Sequence, residues 1–373
     1  MEIYAQMPDK RHESNVRITV LLSRQPYDVV VGVEALVELS LRLQQLSDVS
    51  RIAVVTDDRV NALHGPTLRE AVGHAARFNV VEQGEASKSA ASVGRLYDAF
   101  AEIGLGRRDL VITFGGGMVS DLGGFAAGTW MRGVPVIHVP TTLEGAIDAA
   151  IGGKTAINHA VGKNLIGVFH QPIGVYMNPA FLRTLSDRDY RAGLAESVKH
   201  GMIRDAALFE WQEGAVDDIL ARKEATLTEL IRANCATKAH YVATDERESG
   251  PRALLNFGHT IGHAIESHSG FDLRHGECVA LGMIAENRIA VNRHALSEES
   301  ARRCRELLSA FGLPLRLAKP ISFDEMKRAI QFDKKAVGGR ARFAIAHEIG
   351  HAMVVSNVQD EELEAALTEI APE

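Results

Sequence analysis

The sequence predicts an α/β, doubly wound, Rossmann-like N-terminal domain followed by a mostly α-helical C-terminal domain. Three observations carry this. Short apolar strand signals alternate with helical spacing through the first half, as a parallel, doubly wound sheet requires. One of those strands, Leu110–Phe114 (LVITF), runs straight into Gly115-Gly116-Gly117. Beyond Asn178 long helical stretches dominate.

The elements follow in order. Residues 1–15 read as a loose tail. Arg51–Asp57 is a short apolar run, β-branched in its middle, and Asp58–Val72 has helical spacing. Phe78–Glu82 is a second strand. Ser87–Ile103 is an amphipathic helix opened by a Ser cap. After LVITF a helix is expected over Val119–Thr129, then a strand over Val134–Val139. The second half predicts helices over Glu210–His240, Gly258–His268, Glu277–His294 and Ser297–Phe311, with strands at Arg342–Ala346 and Ala352–Ser356. The expected division is a nucleotide-binding domain over 16–178 and a helical metal- and substrate-binding domain over 179–373, with the active site in the cleft between them. There is no internal repeat and no low-complexity segment.

Composition narrows the function classes. The chain has 373 residues, 46% hydrophobic and 24% charged, the balance of a soluble globular protein long enough for two cores. No apolar run approaches the ~18 residues needed to cross a bilayer, and MEIYAQMPDKRHESNVR is too charged for a secretory signal. The expectation is a cytoplasmic protein with no membrane partner. Lys plus Arg total 41 against 48 acids, a net charge of −7 spread without a basic block, which argues against nucleic acid. Any anionic substrate needs a local cation cluster. Cys235, Cys278 and Cys304 are odd in number and widely spaced, so they suggest neither a disulfide framework nor a zinc ribbon.

Several segments carry candidate chemistry. In LVITFGGGMVSDLGG, glycines let the backbone approach a phosphate, and the helix N-terminus offers free N–H groups. A dinucleotide pyrophosphate suits this turn, although the spacing is not GxGxxG and tight packing is the alternative. Asp57 ends a strand where ribose-binding acids often sit, or it caps the following helix. TTLEGAIDAAIGGKTAINHAVGKN concentrates Asp148, Lys154, Lys163 and Asn164 among glycines. Two lysines near glycine turns suit a phosphate, and a solvated loop is the alternative reading. GLAESVKHG carries Glu196 and Lys199, NFGHTIGHAIE carries His259 and His263 on one helical face, and LRHGE carries His275. One carboxylate and two imidazoles make a Zn2+-type site with open positions. Spacing leaves open whether His259 and His263 are both ligands or one touches substrate.

AHEIGHAM contains a formal HExxH, His347 to His351. Apolar runs on both sides and Gly350 between them predict strand-turn-strand rather than helix. The two histidines would then not share a face, so a zinc-protease reading is rejected.

The stretches GEASKS, GGGMVSDLGGFAAGTWMRG, VPTTLEGAIDAAIGGKTAINHAVGKNLIGVFHQP, GLAESVKHGMIRD, DERESGPRALLNFGHTIGHAIE, RHGE and DKKAVGGRARFAIAHEIG, within residues 50–357, resemble the 3-dehydroquinate synthases, a family of sugar phosphate cyclases. Related polyol dehydrogenases share that fold but not this set of lysines. The resemblance implies that Asp57, Glu85, Lys88, Gly115, Gly116, Gly117, Asp121, Thr141, Thr142 and Lys163 line an NAD site. It implies Glu196, His259 and His275 as ligands of Zn2+ or Co2+. Asp148, Lys154, Asn164, Lys199, Lys238, Arg252, Asn256, His263 and the Lys334-Lys335 pair would surround a phosphorylated C7 sugar acid. Arg132 would reach a neighbouring subunit's site, which implies a homodimer.

The implied reaction turns 3-deoxy-D-arabino-heptulosonate 7-phosphate into 3-dehydroquinate and phosphate, in the shikimate pathway of aromatic amino acid biosynthesis. Transient oxidation by NAD is followed by phosphate β-elimination, reduction and intramolecular aldol closure, a lyase-type result. Four positions depart from the family pattern. It usually has Leu at Glu144, Ser-Ser at Ala149-Ala150, Gly at Ala156 and Leu at Pro251. These favour a specialised relative, such as an aminodehydroquinate synthase, as the alternative substrate reading. A metal-dependent polyol dehydrogenase on the same fold is the other. Arg252 favours an acid substrate, since relatives acting on sedoheptulose 7-phosphate typically lose this arginine.

Overall fold

The computed structural model describes residues 15–270, 272–332 and 341–372. The elements run β1 (Asn15–Val20), β2 (Tyr27–Gly32), α1 (Ala35–Gln45), β3 (Ile52–Asp57), α2 (Asp58–Val72), β4 (Arg77–Val81), α3 (Ala90–Glu102), β5 (Leu110–Gly115), α4 (Gly117–Thr129) and β6 (Val136–Pro140). A hairpin of β7 (Lys154–His159) and β8 (Gly162–Phe169) precedes β9 (Gly174–Met177). The helices α5 (Asp187–Ile203), α6 (Ala206–Gly214), α7 (Val216–Leu220), α8 (Glu224–Thr244), α9 (His259–His268), α10 (His275–Asn292), α11 (Glu298–Ala310) and α12 (Phe323–Phe332) follow. A second hairpin, β10 (Phe343–Glu348) and β11 (His351–Val355), leads to α13 (Asp360–Glu369).

Seven strands form one sheet in the order β1-β2-β9-β6-β5-β3-β4. All pairs are parallel except β1 with β2 at the edge. The central strands are apolar on both faces because helices cover both. Ala53, Val55 and Val111 pack with Val93, Leu96 and Leu122 of α3 and α4. Val54, Ile112 and Ile137 pack with Leu36, Leu39 and Leu68 of α1 and α2. After β4 the chain returns to the other side of β3 to form β5, so order reverses between β3 and β5. A crevice opens there, at the carboxyl ends of Asp57, Gly115 and Pro140.

The helical part packs directly on this sheet, with α8 against β1 and β2. Val20, Val29, Val31, Val175 and Met177 share one apolar core with Leu194, Leu230 and Ile261. The helix expected over 210–240 is three pieces. Arg222 sits at φ 53 between α7 and α8. Its guanidinium is tied to the carbonyls of Leu182 and Leu185 and to Asp187, which holds the break open. The strands β1, β2, β7, β8 and β9 carry no expectation from the sequence. The tail expected over 1–15 lies outside the described residues except for Asn15, which starts β1. Among the described residues no helix is long and apolar enough to cross a membrane.

Asp109, 3% exposed, ties the start of β3 to the loop before β5. Its carboxylate accepts N–H bonds from Gly106 (2.7 Å), Ser50 (2.9 Å) and Arg51 (2.9 Å), and the Ser50 hydroxyl. Burial alone would raise this carboxyl, but the N–H donors outweigh it and hold it below the usual range. A depressed carboxyl stabilises fully above its unfolded value of about 4 and loses that contribution as pH falls below it. Asp109→Asn should therefore cost about 2 kcal/mol at neutral pH. Chemical denaturation against pH should show the gap to wild type narrowing below pH ~4. A gap that stays constant with pH would assign the loss to packing alone.

Candidate functional site

A cleft of about 1400 Å3 runs between the carboxyl ends of the sheet and helices α5, α8, α9 and α10. One wall is the glycine turn. Gly116 is the N-cap of α4 and contributes no side-chain cap, which leaves the first N–H groups of the helix to the cleft. A side chain at Gly115 would strike Val119 Cγ2 at 2.6 Å, and one at Gly116 would strike Thr142 Cγ2 at 2.9 Å. Close packing and access to phosphate thus both require glycine here. Asp57 lines the cleft and also caps α2, accepting from Val60 N at 2.8 Å. The cap is thus met, and the same residue faces the cleft. Lys88 is buried between Asp121, its direct partner, and Glu85 at 3.7 Å. Thr141 and Thr142 follow β6 beside the turn.

The opposite wall holds the carboxylate and imidazoles. Glu196 of α5, His259 at the start of α9 and His275 at the start of α10 bring one ligand atom each within 4.8 Å of one another. Nε2 of His259 and of His275 lie 3.4 and 3.5 Å from Glu196 Oε1. The Phe257 carbonyl lies 3.0 Å from His259 Nδ1 and accepts a hydrogen bond from it. Nε2 therefore presents a lone pair toward Glu196 Oε1, while the other carboxylate oxygen pairs with Lys199. Burial pushes His259 down to about 3, so it stays neutral. Two acceptors facing each other need a cation between them, and this donor set fits a divalent ion with open positions. His263 lies one turn further along α9, its ring centroid 5.4 Å from that of His259 and 5.8 Å from that of His275.

Cations and acids between the two walls come paired. Lys199 bonds Glu196 and lies 3.7 Å from Asp148. Lys238 bonds Asp148, which sits on a single π-turn, Gly145–Ala149. Burial would raise Asp148, but Lys238 and Lys199 outweigh it and hold the carboxyl well below its ordinary range. Lys154 pairs with Glu248, which also accepts from Asn256 Nδ2 at 2.7 Å. Lys163 reaches Glu266 at 2.9 Å, at the histidine end of the cleft rather than the glycine end. Asn164, at φ 55, lines the same space. Arg252 lines the cleft with 1% exposure, and its two terminal nitrogens are held by the carbonyls of Glu246 and Gly152. Its buried Nε has no partner.

Among the residues singled out from sequence, Arg132 does not line this cleft, and Gly115 and Glu196 lie just behind its surface. Lys334 and Lys335 lie outside the described residues. The structure adds residues that sequence reasoning gave no role. Glu266, three positions after His263, was recoverable from helical spacing. Glu248, in an acidic loop, carried no signal. Glu144 lines the cleft, and burial pushes its carboxyl up to about 7, with His275 opposing and Glu196, Asp148 and Glu266 adding to the rise.

Models of the two halves of one enzyme family match this chain: 3-dehydroquinate synthase N-terminal over residues 78–192 and 3-dehydroquinate synthase C-terminal over 193–336. The chain belongs to the 3-dehydroquinate synthase family. It is therefore a phosphate-eliminating, lyase-type cyclase. The 3-dehydroquinate synthase of Prochlorococcus marinus (strain MIT 9313) is 41% identical over 95% of this chain and 97% of its own. That of Desulforamulus reducens is 39% identical over 94% and 99%. Among solved structures, 2-epi-5-epi-valiolone synthase of Streptomyces hygroscopicus, with NAD+ and Zn2+ bound, matches 94% of this chain and 98% of its own at 31% identity and a TM-score of 0.85. A 2-deoxy-scyllo-inosose synthase complexed with carbaglucose-6-phosphate, NAD+ and Co2+ shares the fold, with a TM-score of 0.84 at 23% identity over 95% and 99%.

The HExxH segment of this cyclase is a hairpin. His347 ends on β10, His351 starts β11, and Gly350 turns between them at φ 93. Both histidines are exposed, and His351 contacts only Glu348, at 3.2 Å. A double His347→Ala, His351→Ala variant should keep its metal content and its melting temperature within about 1 °C of wild type, since exposed side chains of this kind contribute little. Loss of one metal equivalent per chain, read by atomic emission, would overturn the reading.

Proposed function

We propose that this cyclase converts 3-deoxy-D-arabino-heptulosonate 7-phosphate to 3-dehydroquinate and phosphate, using NAD and one divalent metal ion, Zn2+ or Co2+. The observation that carries the reading is the joining of the glycine turn and the Glu196, His259, His275 triad across one cleft that also holds Lys154, Lys199, Lys238 and Arg252. When bound, NAD accepts and then returns a hydride at a secondary alcohol, and the metal polarises the oxygen of that alcohol. The residues of the chain do the rest.

Gly115, Gly116 and Gly117 hold the pyrophosphate against the α4 N-terminus, with Asp57 on a ribose and Lys88, Glu85 and Asp121 fixing the floor. Thr141 and Thr142 complete that wall, and Lys163 meets the cofactor from the histidine end of the cleft, beside Glu266. Glu196, His259 and His275 hold the metal. Lys154, with Asn164, Asn256 and His263, receives the phosphate end. Lys199 and Lys238, held by Asp148, orient the ring hydroxyls. Ketone formation acidifies the neighbouring C–H; an oxygen of the phosphate takes that proton, the C–H electron pair forms the C=C bond, and the phosphate, its charge neutralised by the lysines, leaves as the C–O bond breaks. Arg252 turns toward the carboxylate with the donors its two carbonyl contacts leave over.

The domain division at about residue 178 follows the end of the sheet at Met177. A homodimer is part of the same reading. Arg132 sits in a turn at φ 67, beside exposed Met131, and β8 packs on α4 leaving Leu165, Ile166 and Phe169 exposed. Such a surface suits a second copy, whose cleft Arg132 would enter.

His259→Ala should lose the bound metal and turnover while keeping the fold by circular dichroism. Retention of metal near one equivalent would overturn the ligand assignment. The substrate is tested by phosphate release from a panel of C7 sugar phosphates, with products weighed by mass spectrometry and NADH followed by absorbance. A cyclase releases phosphate with no net NADH, whereas a polyol dehydrogenase accumulates it. Arg252→Ala should lose about a hundredfold in kcat/KM on the acid substrate, roughly 3 kcal/mol, with metal content unchanged. A wild-type preference for sedoheptulose 7-phosphate would remove the carboxylate argument.

A further inference from the structure

Among the described residues, every carboxylate lining the cleft has a partner except one. Asp57 accepts from Val60 N, Glu85 from Asn158, and Asp121 pairs with Lys88. Asp148 pairs with Lys238, Asp189 with Arg274, Glu248 with Lys154 and Glu266 with Lys163. Glu144 lines the same cleft and, among the described residues, makes no hydrogen bond and no ion pair. A half-buried carboxylate left without a partner is unfavourable, and the site it occupies favours an arriving cation.

Its place in the cleft says which cation. Glu144 Oε1 lies 3.9 Å from the position a Cβ on Gly117 would take, so it overlooks the first turn of α4. The positive groups that act on its carboxyl are His275 of the triad and, beside the glycine turn, Lys88. The carboxylate thus lies between the turn that suits a pyrophosphate and the triad that suits a metal. A dinucleotide anchored at the turn must pass its nicotinamide through this space, because the ring has to meet an alcohol at the metal. The oxidised nicotinamide ring carries a positive charge and the reduced ring carries none. The leucine usual in the family at this position makes no such distinction.

We propose that Glu144 is the counter-charge of the oxidised nicotinamide and makes this enzyme hold NAD+ more tightly relative to NADH. This rests on the cofactor reading given above. Its consequence is directional: the bound couple becomes more reducing, which favours return of the hydride to the substrate over release of a reduced cofactor.

The test is a titration of metal-loaded wild type, Glu144→Gln and Glu144→Leu with NAD+ by calorimetry and with NADH by fluorescence, with folding checked by circular dichroism. The ratio Kd(NAD+)/Kd(NADH) should rise about tenfold in both variants, equivalent to a potential raised by ~30 mV, while NADH affinity changes less than about twofold. An unchanged ratio in Glu144→Gln overturns the inference. So does a parallel weakening of both nucleotides, which would mean a contact to a shared ribose, or a change confined to substrate KM, which would mean a cationic substrate group. If wild type binds neither nucleotide, the cofactor reading itself falls and this inference with it.

Discussion

Three helices approach one another more closely than side chains would allow, and the triad exists because they do. A Cβ on Gly276, the second residue of α10, would lie 1.8 Å from the Ala192 carbonyl of α5. One on Gly282 would lie 1.9 Å from the Gly258 carbonyl, immediately before α9. These contacts are backbone against backbone, so no rotamer change could relieve a substitution. They bring His275 and His259, each the first residue of its helix, up to Glu196 in the middle of α5. Glu286 of α10 fixes the entry to α9 by accepting from Gly258 N at 2.6 Å. The three side chains thus stand on rigid elements whose spacing the glycines set.

That arrangement explains what was legible in the sequence. LVITFGGG announced itself because a buried parallel strand is a continuous apolar run and a phosphate turn needs glycine. The Glu, His and His of the triad were visible as chemistry, and His259 with His263 as one helical face. The α5 helix was not recognisable as an element. It is buried nearly all round, with Glu196, Lys199 and His200 inside, so it lacks the polar face on which helical periodicity depends. The β7–β8 hairpin was equally hidden, because its glycines and lysines read as a loop. Pairing across strands, not local pattern, makes those residues extended.

Partner identity was the least legible layer. The resemblance put Lys163 in the NAD site, and its ammonium meets Glu266 of α9, 103 residues away. Arg252 was expected to favour an acid substrate, and the folded chain gives its terminal nitrogens to two backbone carbonyls. Neither outcome can be derived from residue type. Both depend on which long side chain reaches which buried acceptor once the helices have docked on the sheet.

The cleft that results is rich in charge but nearly balanced. Lys154, Lys163, Lys199 and Lys238 each lie against a carboxylate before any ligand arrives. Buried ammonium groups would otherwise lose protons to relieve desolvation. At Lys199, Glu196 and Asp148 outweigh burial and raise the ammonium above its ordinary value, whereas at Lys238 burial outweighs Asp148 and lowers it. An anionic substrate therefore meets cations already paired and oriented, and it exchanges one negative partner for another. This suits a protein whose overall charge of −7 gives no long-range attraction for a phosphorylated sugar. The exchange is local, and its specificity lies in which carboxylate gives way. Glu248, on a loop residue at φ 58, is the partner with the most freedom to withdraw. Glu196 and Asp148, set in the helical core, have the least.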